Sequence, residues 1–119
     1  MGLMDALKRT KRGGKAGTGR QALVSIPGQQ PVKVRFEGGS GESPAAAIVI
    51  KGATSAGVGA AAEYKYLGHL LGERGRDWNL EGETIVHFEG RPLDVMEIAL
   101  SDGGRRSIFF DISDFFDRP

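Results

Sequence analysis

From Thr84 to Ile112 the chain repeats one period, apolar against polar. It breaks that period at two tight turns, Glu89-Gly90-Arg91-Pro92 and Ser101-Asp102-Gly103-Gly104. Successive side chains of a strand point to opposite faces, so this pattern commits the stretch to three strands with one side against a core. Asp-Gly and Gly-Gly accept positive φ, which makes the second break a hairpin turn. Thr84, Val86 and Phe88 share one face of the first strand. Met96, Ile98 and Leu100 point inward on the second, and Ile108, Phe110 and Ile112 on the third. Arg105, Ser107, Asp111 and also Phe109 fall on the outward set.

Four of the six phenylalanines, Phe109, Phe110, Phe115 and Phe116, lie within eight residues of one another at this end. Ring surface at that density either closes the open end of a sheet core or forms an apolar patch that meets a partner. Parity sends Phe110 inward. Phe109, Phe115 and Phe116 are the protein-contact candidates, and Ser113 is placed to cap a final helical turn.

The rest of the chain is built from similar pieces. Ala22, Val24 and Ile26, then Val32, Val34 and Phe36, alternate with polar residues on either side of Pro27-Gly28, which predicts a β-hairpin over residues 21–37. Residues 38–44 read as a loop, and residues 46–51 (AAIVIK) as a short buried strand. Residues 52–59 are small and Gly-rich. From about Ala60 the spacing of Ala60, Tyr64, Leu67 and Leu71 predicts a helix, with Gly72 as its C-cap. Glu73 to Asp77 read as a charged loop, with Trp78 and Leu80 folding back onto the helix. The expected fold is α+β: an antiparallel sheet of five to six strands made of hairpins, with one main helix on a face.

Charge divides the chain. Residues 1–20 carry Lys8, Arg9, Lys11, Arg12, Lys15 and Arg20 against the single acid Asp5, a net +5. The remainder is net −4. A flexible basic arm over 1–20 therefore precedes a single domain over 21–119. Lysine and arginine interleaved with glycine can follow a phosphate backbone, but the arm has no ring for base stacking. Its plainer uses are to solubilise the chain or to fold onto the acidic body.

Several chemistries are excluded or weakened. With no cysteine there is no disulfide, thiolate metal site or thiol nucleophile. No apolar run reaches the length of a transmembrane segment, and no secretory signal is present. Met1-Gly2 lacks the hydroxyl residue that N-myristoylation requires at position 6, where Ala stands. These features point to a cytoplasmic protein.

Gly57-x-Gly59-x-x-Ala62 imitates a dinucleotide fingerprint and Gly52-x-x-x-x-Gly57 the start of a phosphate loop. Val58-Gly59 follows, however, where a phosphate loop has Lys and Ser or Thr. Small residues that let a helix pack closely explain the same letters. His69 and His87 have no metal-ligand spacing. Only a meeting in space with Glu63, Glu89 or Asp94 would give them metal or acid–base chemistry. Asp111, Asp114 and Asp117 recur every three residues, as capping and solvated residues do. No catalytic set, cofactor site or metal site emerges. The expected function is that of a non-enzymatic binding module, contacting a protein partner or a second copy through the C-terminal sheet and its Phe-rich end. The alternatives are a nucleic-acid-associated protein acting through its basic arm, and a small hydrolase using His69 or His87 with a carboxylate.

Overall fold

The computed structural model describes residues 20–118. Lys8, Arg9, Lys11, Arg12 and Lys15, and the arm they belong to, lie outside those residues. Six strands and one helix follow in the order β1 (Arg20–Val24), β2 (Val32–Gly38), β3 (Ile48–Lys51), α1 (Ala56–Leu71), β4 (Trp78–Phe88), β5 (Arg91–Leu100) and β6 (Arg105–Asp111). They form an α+β fold around a sheet of strand order β1-β2-β3-β6-β5-β4.

The sheet is mixed rather than antiparallel. β3 and β6 run parallel, joined at Ile48–Phe110 and Val49–Asp111. The cause is the crossover: α1 carries the chain from β3 to the far edge of the sheet, and the meander β4-β5-β6 then walks back. After two reversals β6 arrives beside β3 in the same direction. The parallel ladder is short, and beside it the Phe109 amide donates to the carbonyl of Gly41, in the loop between β2 and β3, at 2.8 Å.

The hairpin β1–β2 pairs Val24 with Val32 and Ala22 with Val34, as the alternation requires. The first strand of the C-terminal meander is longer than the period showed. It begins at Trp78 rather than Thr84 and bends at an irregularity between Leu80 and Gly82. Trp78 is buried, and its indole N–H donates to the Gly72 carbonyl at 2.9 Å, tying the end of α1 to the start of β4. Gly72 ends the helix with φ at 104°, a backbone region where side chains are strained.

The helix begins earlier than its pattern indicated. Ser55 is the N-cap, its hydroxyl accepting from the Val58 amide at 3.2 Å, so Gly57 and Gly59 lie in the first turns. Its buried face is also rotated from the expected Ala60-Tyr64-Leu67-Leu71 stripe. Val58, Gly59, Ala62, Glu63, Tyr66 and Leu67 are the buried residues. Val58, Ala62 and Tyr66 form one row, and Tyr66 stacks at 4.8 Å from Phe36 and meets Phe110 edge-on at 6.0 Å.

The core joins Val34, Phe36, Ile48, Ile50, Met96, Ile98, Ile108 and Phe110 on the helix side of the sheet. Met96, Ile98, Ile108, Phe110 and Ile112 all face inward as the alternation predicts. Thr84, Val86 and Phe88 do share a face, but it is the one away from α1. They pair with Val95, Leu93 and Arg91, whereas Glu83 pairs with core Met96. No helix among the described residues is long and apolar enough to cross a membrane.

Candidate functional site

The Phe-rich ending separates into three environments. Phe115 is buried, with its ring lying on Gly59 of α1. A Cβ at Gly59 would come within 2.1 Å of that ring. Gly59 is thus a close-packing glycine, and Phe115 belongs to the core rather than to a contact surface. Phe109 is half-buried on the sheet face away from the helix. Phe116 is 42% exposed and packs edge-on against His87 at 6.0 Å.

Residues 113–117 form turns, and Ser113 does not cap a helix. Its amide and hydroxyl donate to Asp111, at 3.0 and 2.6 Å, and Arg91 donates to the same carboxylate at 2.5 Å. Burial pushes the Asp111 carboxyl up, but the Ser113 and Arg91 hydrogen bonds outweigh it and hold the group below its ordinary range. Asp114 accepts from the Gly52 amide at 2.8 Å, fastening this ending to the entrance of α1.

One turn along α1 from Gly59, on the same side, stands Glu63. It is only 2% exposed. It faces Asp94 of β5, 3% exposed, and Glu83 of β4, which is open to solvent. Pairing places these groups on one face: Glu83 lies opposite Met96, and Ile85 opposite Asp94. One oxygen from each of the three carboxylates lies within 4.8 Å of the others. Glu63 Oε2 and Asp94 Oδ1 are buried with no hydrogen-bond partner. None of the three carboxylates takes part in an ion pair among the described residues.

The electrostatics follow from this crowding. Burial, reinforced by Asp94 and then by Glu83, pushes the Glu63 carboxyl up to about 11. Hydrogen bonding with Asp94, aided by partial burial and by the charge of Asp94, raises Glu83 to about 7. Both effects favour the protonated forms of Glu63 and Glu83.

The mouth of this cluster continues along β4. Ile85, 44% exposed, and His87 follow Glu83 on the same face, and Phe116 leans on His87. Among the described residues β4 is the last strand of the sheet, with no strand beside one side of its backbone. From Thr84 to Phe88 that edge carries no charged residue and no proline.

The two histidines do not meet. His87 is on this edge, whereas His69 lines a groove of about 210 Å³ on the opposite side of α1, together with Arg20, Gln21, Ala22, Phe36, Lys65 and Tyr66. There burial pushes the Tyr66 hydroxyl up, and Arg20 partly offsets it. The sequence reading named Glu63 and Asp94 only as possible partners for a histidine, and it did not single out Glu83. The available signal was Glu63 beside small Ala62 and Gly59 on a helix face, and Asp94 sharing the parity of Met96 and Ile98. Comparison with protein-family models, curated proteins and solved structures finds no match to this chain.

Proposed function

We propose that the protein is a binding module that takes an extended segment of a partner protein onto the free edge of β4, with Ile85 and Phe116 as apolar anchors beside the new strand. The observation that carries this reading is the uncharged edge from Thr84 to Phe88. An unpaired strand edge is a template for another strand, and natural sheets usually blunt it with lysine, proline or a bulge. Here the irregularity and both acids, Glu81 and Glu83, lie before Thr84. Strand addition draws affinity from main-chain hydrogen bonds and specificity from alternate side chains. Ile85, His87 and Phe116 supply the latter on one face.

The test is selection of binding peptides from a random display library with the full chain as bait, followed by amide exchange of the complex. The expected result is new protection within Thr84–Phe88, lost together with binding in Ile85→Lys and weakened in Phe116→Ser. Selected peptides that protect only other segments, or that bind Ile85→Lys unchanged, contradict the reading. Protection of the same amides by raised protein concentration alone would identify the added strand as a second copy.

A second reading rests on the groove beside α1, where Arg20, Lys65 and His69 converge. Arg20 continues directly from Lys8, Arg9, Lys11, Arg12 and Lys15 in sequence. We infer that this basic surface can hold a nucleic-acid backbone, each phosphate contact adding a counterion-release term. Replacing those five arm residues by glutamine in the full chain should then weaken single-strand binding and flatten its salt dependence. Unchanged salt dependence would remove this reading.

A further inference from the structure

Ion-paired or hydrogen-bonded carboxylates are the rule inside proteins, because burying a charge without a partner is strongly unfavourable. Glu63 and Asp94 depart from that rule. Each is more than nine-tenths buried and has an oxygen that meets no donor, and those side chains converge with Glu83 on one small space. We propose that Glu63, Asp94 and Glu83 form a binding site for a hard divalent cation, with the two buried carboxylates as its floor and Glu83 at its mouth. This site adjoins the strand-binding edge on β4 but does not depend on that reading.

The donor set selects the class of ion. All three ligands are carboxylate oxygens, with no imidazole or thiolate among them, which suits calcium, magnesium or manganese rather than zinc or copper. The spacing also fits. Three oxygens within 4.8 Å of one another have a common centre no more than about 2.8 Å from each, close to the 2.3–2.6 Å of a calcium–oxygen bond. A cation would supply the positive charge that no lysine or arginine among the described residues provides here, and would satisfy both orphaned oxygens. The open side, marked by exposed Glu83 and Ile85, leaves the remaining coordination positions to water.

The experiment is calorimetric titration of the metal-stripped full chain with Ca²⁺, Mg²⁺ and Mn²⁺ separately at pH 8, with Mn²⁺ stoichiometry checked by electron paramagnetic resonance. The expected result is saturable binding of one ion per chain by at least one of the three. Glu83→Gln, at an exposed position, should weaken it by about tenfold or more with the fold intact. Glu63→Gln should abolish it while the cation-free protein melts no lower than wild type. Glu42→Gln, an exposed control, should bind as wild type does. The proposal is overturned if none of the three ions binds saturably at millimolar concentration, or if Glu63→Gln and Glu83→Gln bind as the wild type does.

Discussion

Helix α1 covers two unlike halves of one sheet. Over β1, β2 and β3 it presents Val58, Ala62 and Tyr66 to Val34, Phe36 and Ile50, an apolar, ring-packed contact. Over β4 and β5 the same helix presents Glu63 to Asp94 and Glu83. Close packing of apolar groups stabilises the first half. The second half holds carboxyls where apolar side chains would serve stability better. The inner half accounts for why the chain folds. The outer half, which also carries the β4 edge, is where buried carboxyls take the place of apolar packing.

The largest expected effect is in the inner half. Phe36→Ala removes a fully buried ring packed on Tyr66, and should cost about 3–5 kcal/mol in denaturant unfolding. A loss under about 1 kcal/mol would mean that this half is not the stabilising one. A smaller effect is expected where the two halves meet the C-terminal turn. Gly59→Ala must displace the Phe115 ring, for roughly 1–3 kcal/mol, against about 1 kcal/mol gained in helix propensity. A net loss with increased exposure of Phe115 to solvent is the outcome that supports the packing role of Gly59. A net gain would show that the ring is not held there.

The sequence made the local parts of this architecture legible and left the distant ones hidden. Alternation located the β1–β2 hairpin and the inward rows of β5 and β6, because period and turn chemistry act over a few residues. It also separated Phe110 from Phe109. The parallel contact of Ile48 with Phe110 joins residues 62 positions apart, and no local pattern encodes it. Gly57 and Gly59 look like loop residues, so periodicity alone starts α1 late, and only the docking of Phe115 shows why glycine stands at 59. The buried face is hidden for a related reason. A glutamate on a helix reads as solvent-facing, and Glu63 is not. Two of the three site residues were thus visible as acids but not as neighbours, since the crossover brings α1, β4 and β5 together only in the folded chain.

The central claim is that Glu63 is a carboxyl buried without a counter-charge, so that the fold favours its protonated form. The most direct test is unfolding free energy as a function of pH, in chelator, for wild type and Glu63→Gln. A folded-state value of about 11 against an ordinary 4.5 means that the folded chain binds the extra proton between those limits. The stabilising contribution is therefore complete below pH 4.5 and is lost as pH rises toward 11. The account predicts that wild type weakens relative to Glu63→Gln from pH 5 to pH 9, by at least about 1.4 kcal/mol, the worth of one pKa unit. Parallel pH profiles for the two proteins would contradict it.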